Sequence, residues 1–511
     1  MGNKRLAINL FSNLIAFGVQ FGISFILTPY LINSLGSEAY GFVPLANNFI
    51  GYINIITIAL NSMASRFLTI EMSRGNTHQA QVYFNSVLMA NTILAVVLAV
   101  PSFFFVLFID RCMNVPAHLL TDVQMTFAYA LLAMEVSLVF SVYGEVFYIK
   151  NRLDLSARRN IEANVLRAVV LIVVFSVLRP KIYYITITML IVNIYLCTAN
   201  VHYTHRLTPE LNVNIKLFDG KAVKTLLSSG VWNSVNQLST VLLTTLDLYL
   251  ANLLVGAQAS GEYSIVKTVP NFILALASTL VGVFVPQFTI YYAKKERKKL
   301  IESVDFSIKI MGYLLMIPVG FLLVFGTDFF RLWVPNQNAE YLQGLSILTL
   351  LPIIVTGSVN TIFNIYTVTN KLRTPALTWI SFGVLNVASV IVLVKVAGLG
   401  IWAIPVAALF WGLVRNLTFT PVYGAYCLGL PWHTFYKAIG RGCLCVLTVI
   451  AICCGYKALI LTNSWLTLIV AGICCSLVAC CLNLFIVFNK DERKRFTQSI
   501  RSTISNKMSG R

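Results

Sequence analysis

Tyr30-Leu31-Ile32-Asn33-Ser34-Leu35-Gly36, followed by Tyr40, returns later as Tyr249-Leu250-Ala251-Asn252-Leu253-Leu254-Val255-Gly256, followed by Tyr263. Asn48-Phe49-Ile50 likewise returns as Asn271-Phe272-Ile273. The offset stays between 219 and 223 residues throughout. Self-similarity at one fixed, long period marks a duplicated architecture. Glycine and tyrosine agree in spacing along with the apolar letters, so the match extends beyond hydrophobicity.

Around these copies lie apolar runs. Of 511 residues, 58% are apolar and only 11% are charged. A soluble domain carries about 25% charged residues, so a disordered chain, a collagen-like chain and an ordinary soluble enzyme are excluded. Each apolar run is continuous and long enough to cross a bilayer, which takes ~20 residues as a helix. Strand barrels are excluded because their segments alternate over about 10 residues. Some fourteen runs can be counted, the first near 6–35 and the last near 465–488. The fold class is an all-α polytopic membrane protein with about 14 transmembrane helices. The first run follows Lys4 and Arg5 but is too long for a signal peptide, so it reads as an uncleaved span.

The net charge of +19 is read against position rather than as a nucleic-acid signal. Lys150, Arg152, Arg158 and Arg159, then Lys294, Lys295, Arg297, Lys298 and Lys299, fall on one side with the basic tail. The other side holds Arg111, Arg179, Lys181, Arg331, Lys395 and Lys457. This asymmetry puts both termini in the cytoplasm and makes the span number even. Arg179 and Lys181 are the local exception. With even spacing the first span matches the seventh, and the copies are parallel, as in two-lobed transporters. The expected organisation is an N-terminal lobe at 1–203 (spans 1–6) and a cytoplasmic linker at 204–226. A C-terminal lobe at 227–426 (spans 7–12), two further spans at 427–489 and a basic cytoplasmic tail at 490–511 complete it.

A charge at mid-span costs about 2.5–3.5 kcal/mol on insertion scales, so such residues face a cavity or a partner. Glu135, Glu145, Glu162, Arg167, Asp247, Lys267 and Arg415 stand out. Asp247 and Lys267 both sit roughly 10 Å below the outer surface at 1.5 Å per residue. They read either as a structural ion pair or as a cation or proton site with its competitor. Arg415, near the middle of the twelfth span, reads as a cavity anion site or as the partner of an acid. Arg167 is expected to snorkel inward or, preferably, to meet Glu145 or Glu162, and Glu135 to be protonated, hydrogen-bonded or paired with Arg167. Amides including Asn13, Gln20, Asn47, Asn48, Asn54, Asn61, Asn233, Asn236 and Gln237 suit either interhelical glue or a wet interior for a hydroxyl-rich ligand.

No phosphate-binding GxxxxGK[ST] loop and no HExxH occur, so no ATP motor, metal site or other cofactor is expected. Eight of the eleven cysteines sit in two late apolar segments and read as small buried residues. No loop is large enough for a catalytic domain, so an enzyme is not expected.

Leu35-Gly36-Ser37-Glu38-Ala39-Tyr40-Gly41-Phe42 resembles the polysaccharide flippase (Wzx-like) branch of the multidrug/oligosaccharidyl-lipid/polysaccharide exporter superfamily. So does Gly256 through Tyr263 followed by Lys267. The resemblance implies movement of undecaprenyl-pyrophosphate-linked oligosaccharide units across the bacterial inner membrane for O-antigen, capsule or exopolysaccharide. It implies a cationic cavity for the pyrophosphate, with Arg415 and Lys267 as candidates and Arg167 behind them. Asn48 and Asn236 join them as substrate-binding candidates. An ion gradient would cast Asp247 or Glu135 as the acid that couples to a proton or sodium ion. Membrane lipids and a polysaccharide polymerase are the implied partners. A cation-coupled multidrug or metabolite exporter of the same superfamily is the alternative.

Overall fold

The computed structural model describes residues 2–282, 284–369, 371–489 and 492–493. Of the expected basic tail at 490–511, all but Glu492 and Arg493 lies outside the described residues. The spanning helices, in chain order, are α1 (Gly2–Leu35), α2 (Ser37–Ser73), α3 (Thr77–Leu107), α4 (Ala117–Ile149), α5 (Leu153–Val177), α6 (Tyr183–Leu207) and α7 (Gly220–Thr245 continuing as Asp247–Leu254). The second set is α8 (Ala257–Gly282), α9 (Arg297–Trp333), α10 (Ala339–Val368), α11 (Arg373–Lys395), α12 (Gly400–Cys427), α13 (Tyr436–Leu459) and α14 (Trp465–Val487). Among the described residues, thirteen helices are long and apolar enough to cross a membrane, and the bent α7 makes fourteen.

Long apolar runs become helices in lipid because only an internal ladder satisfies every backbone N–H and C=O there. Local chemistry sets the ends. Asn76, Asp219 and Asn338 cap α3, α7 and α10 by accepting from Gln79 N, Lys221 N and Tyr341 N. Ser464 and Thr467 form a capping box at α14. Wide apolar faces, such as Val96, Val97, Val100 and Phe103 of α3 or Ile469, Ile473 and Leu477 of α14, are exposed. Water would penalise such a band; lipid does not.

The repeat reappears in the backbone. Gly36 and Gly256 both take positive φ (83° and 137°) where one helix ends and the next begins. Gly75 and Lys295 do the same (75° and 58°) at the following turn. The fourth helix of each copy is interrupted by a 3₁₀ turn, at Ser141–Glu145 and at Asn360–Ile362.

The chain divides into two compact units: Met1–Ser264 with Ala376–Ile401, and Ile265–Pro375 with Trp402–Arg511. The boundary between these units falls inside α8. In the first unit Leu60, Phe84, Val87, Val142, Tyr143 and Leu226 form a core. The 204–226 connection is pinned to α3: Asn85 donates to Asn212 O (3.0 Å) and accepts from Asn214 N (2.7 Å), and Ser86 Oγ accepts from Asp219 N (2.9 Å). In the same unit α2 and the start of α8 cross at Gly41 and Gly261. A Cβ on Gly41 would lie 2.5 Å from Gly261 Cα. In the second unit Met311, Leu315, Leu350, Cys445, Val446 and Phe488 centre the core. Gly312 and Gly442 let α9 and α13 cross closely there, a Cβ on Gly312 falling 2.8 Å from Gly442 Cα.

Lys181, between α5 and α6, pairs with Asp122 of α4 at 3.3 Å.

Candidate functional site

Asp247 follows a break. Val241–Thr245 is a π turn, and α7 bends by 47° before resuming at Asp247. A π turn displaces carbonyls from the ordinary helical ladder, and such turns recur at functional sites. Asn48 Nδ2 and Tyr52 Oη of α2 both donate to Thr245 O at 3.1 Å. Asp247 itself is 3% exposed, and Tyr263 donates a hydrogen bond to its carboxylate. Ser260 Oγ donates to Leu248 O at 3.0 Å, so the bend is stapled to the first turns of α8. The result is a buried acid held among tyrosines beside a broken helix.

Arg167 lies elsewhere in the first unit. It lines a cavity of about 260 Å³ formed by α1, α2, α5 and α6. Gln20, Asn47, Asn160, Asn164 and Asn193 line it too. Tyr40 Oη, bonded to Thr28, lies in electrostatic reach of the guanidinium. The expected acidic partners are engaged differently. Glu162 pairs with Arg158 (3.3 Å) and Arg159 (2.7 Å) and accepts from Tyr195 Oη. Glu145 is bonded to Ser65, and Glu135 of α4 to Ser102. The expected pairing of Arg167 with Glu145, Glu162 or Glu135 is therefore corrected. Glu162 sits one turn from two arginines on its own helix, and those near neighbours take it first.

In the second unit Arg415 opens another π turn, Arg415–Phe419 in α12. Its Nε donates to Asn416 Oδ1 at 3.1 Å. Asn416 is fully buried and donates to Thr356 Oγ1 of α10 at 2.7 Å, which fixes the guanidinium plane through a second helix. Tyr366 Oη donates to Thr420 O at 2.8 Å beside it. Lys267 is half-buried on α8, just before Pro270.

Of the residues named from sequence, the fold brings Asp247 and Asn48 together around the α7 bend. Asn236 is half-buried lower on α7, and Arg167 and Glu135 lie apart from that bend on α5 and α4. Sequence reasoning missed Tyr52 and Thr356, which carry no charge to flag them, and read Tyr263 only as part of the repeat. It also missed Asn160, Asn164 and Asn193. A signal was present: Asn160, Asn164 and Arg167 follow i, i+4, i+7 spacing and share a helix face.

Comparison with known proteins adds the family. The model of the family described as polysaccharide biosynthesis protein matches residues 6–292. The chain belongs to that family. EpsK, an uncharacterized membrane protein of Bacillus subtilis (strain 168), is 28% identical over 499 residues, 98% of this chain and 99% of EpsK. The lipid II flippase MurJ in an inward closed conformation shares the fold with a TM-score of 0.66 at 14% identity, covering 94% of this chain and 98% of MurJ. An inward-facing multidrug resistance MATE family transporter gives 0.64 at 14% identity, covering 83% and 98%. This member of the polysaccharide biosynthesis protein family is thus a multi-pass membrane protein with the flippase and exporter fold. That agrees with the resemblance read from its helix-joining glycines.

Proposed function

We propose that the protein translocates undecaprenyl-pyrophosphate-linked oligosaccharide repeat units across the bacterial cytoplasmic membrane for polysaccharide synthesis. Family membership and the shared fold support transport of this kind. The observation that carries the reading to its substrate is Arg415, an arginine within a span, braced by the buried Asn416–Thr356 pair. A braced guanidinium recognises phosphate oxygens in a fixed orientation. In this reading Arg415 and Lys267 bind the pyrophosphate, Asn48 and Asn236 contribute to the polar interior, and the polyprenyl tail stays in lipid. The copies at 1–203 and 227–426 alternate access, joined by 204–226 and flanked by 427–489. Both termini are cytoplasmic, and a polymerase receives the product. Asp247, or Glu135, binds the coupling proton or sodium ion. Asp247 is favoured because it sits at a bend whose angle its charge state can bias.

The test is reconstitution into vesicles with a fluorescent pyrophosphate-linked glycolipid. Wild type is expected to move it, Arg415→Ala to lose activity by about 10-fold or more, and Asp247→Asn to lose dependence on the ion gradient. Correct insertion of each variant is checked by thermal melting. A wild type that moves no glycolipid but exchanges a cationic dye for protons would replace this reading with that of a cation-coupled multidrug exporter.

A further inference from the structure

The Arg167 cavity belongs to the first unit, whereas Arg415 and Lys267, assigned to the pyrophosphate, belong to the second. Arg167 lies roughly 20 Å along α5 from Leu153, at 1.5 Å per residue, deep in a ~30 Å hydrocarbon core. No hydrogen bond or ion pair engages its guanidinium among the described residues, and no carboxylate lines the cavity. An arginine at that depth is costly unless something meets its charge. The lining amides are oriented. Asn164 Nδ2 donates to Asn160 O (2.8 Å) and Asn193 Nδ2 to Ala133 O (3.2 Å). One hydrogen of each amide is thereby committed to a backbone carbonyl, which fixes the orientation and leaves each Oδ1 as an acceptor for hydroxyl donors. Apolar side chains such as Met189 and Val192 supply a surface for the C–H face of a ring. At about 260 Å³ the cavity falls below the ~300–1,000 Å³ of drug-sized sites, which suits a small ring system.

One cation, hydroxyl acceptors and an apolar wall select a monoanionic, polyhydroxylated ligand. A doubly charged pyrophosphate would leave one negative charge unmatched in a low-dielectric site, whereas a carboxylate is neutralised by a single bidentate guanidinium. We infer that this cavity is a binding site for a sugar carboxylate, a uronate-type residue. Its place in transport rests on the flippase reading, with the carboxylate as a feature of the carried glycan. Occupancy of the cavity by such a sugar does not depend on that reading.

The experiment measures binding of methyl glucuronide, methyl glucoside and inorganic pyrophosphate to the purified full-length protein in nanodiscs, by saturation-transfer NMR and calorimetry. It uses wild type, Arg167→Gln and Arg167→Lys, with thermal melting to verify folding. The expected result is binding of the glucuronide, with the glucoside weaker by about 10-fold or more. Arg167→Gln should lose the glucuronide by a similar factor, and Arg167→Lys should retain part of it, because lysine keeps the charge without the fork. Equal binding of glucoside and glucuronide, an unaffected Arg167→Gln, preferential binding of pyrophosphate through Arg167, or no binding by folded wild type would each overturn the inference. Because binding is read on purified protein, failure of glycolipid transport in vesicles would count against the flippase reading and leave this result standing.

Discussion

Lys309 is 5% exposed within α9, and its ammonium ion is accommodated by two carboxylates. Asp305 Oδ2 lies at 2.6 Å and Glu492 Oε1 at 2.8 Å. Glu492 lies past the end of α14, where Asn489 N also donates to it at 2.8 Å. Burial pushes the Glu492 carboxyl up, but the hydrogen bond from Lys309 and the backbone bond outweigh it, and the group titrates below its ordinary value of 4.5. A depressed folded value means the stabilisation is complete above 4.5 and is lost as pH falls through the folded value. Apparent Tm in detergent should therefore hold between pH 7 and 5 and drop at lower pH. Glu492→Gln should lower stability at pH 7 by about 1.5–3 kcal/mol and flatten the acid limb of that profile. An unchanged acid limb would remove Glu492 as its source. At the same scale, the Asp247 and Arg415 neighbourhoods show what sequence conveys about a site. The charges were legible because a charge in an apolar run is conspicuous. Their braces, Tyr263, Tyr52 and Thr356, were not, because uncharged residues on other helices become partners only after packing.

Glycine spacing explains how the elements meet. Gly41 and Gly261 occupy corresponding turns of the two copies, and the backbones of α2 and α8 touch there. Gly41→Ala forces 2.5 Å contacts with backbone and should destabilise by about 1–3 kcal/mol. Gly36→Ala meets open space, but φ 83° with ψ 158° lies in a region essentially confined to glycine, so backbone strain alone should cost about 1–3 kcal/mol by thermal melting. A neutral Gly41→Ala would mean that the crossing relaxes freely. At α14, Ser464→Ala removes the capping box and should cost about 0.5–2 kcal/mol in the same assay. The repeat itself was legible as Gly36 and Gly256 in matching letters. The bend in α7 was not. Nothing in Val241-Leu242-Leu243-Thr244-Thr245 departs from a helical pattern, and the break depends on Asn48 and Tyr52 reaching Thr245 O from α2.

For the molecule as a whole, the charge asymmetry makes a topological prediction. In a cysteine-free background, Lys298→Cys should react with a membrane-impermeant thiol reagent only after the inner face is opened, and His118→Cys should react in intact cells. Opposite labelling would invert the orientation and remove the cytoplasmic assignment of both termini. The connection between residues 204 and 226 reads in sequence as a linker between lobes. In the structure Asn85 and Ser86 hold it to α3, so Asn85→Ala should lower the apparent Tm by roughly 1–3 kcal/mol worth of stability, as for a buried polar group left unpaired.

By itself the sequence determined that this chain is helical, that it crosses a membrane many times, and that it contains two copies of one plan. Those properties are local: apolar length sets a span, and a glycine at a fixed interval sets a turn. Only the tertiary structure decided that Glu162 goes to Arg158 and Arg159 rather than Arg167, that α7 bends at Asp247, and that Arg167 shares a cavity with Gln20 and Asn193. A hydrogen bond or ion pair acts over about 3–4 Å, so its partner is set by which helices become neighbours. That adjacency follows from packing and cannot be read along one strand of letters.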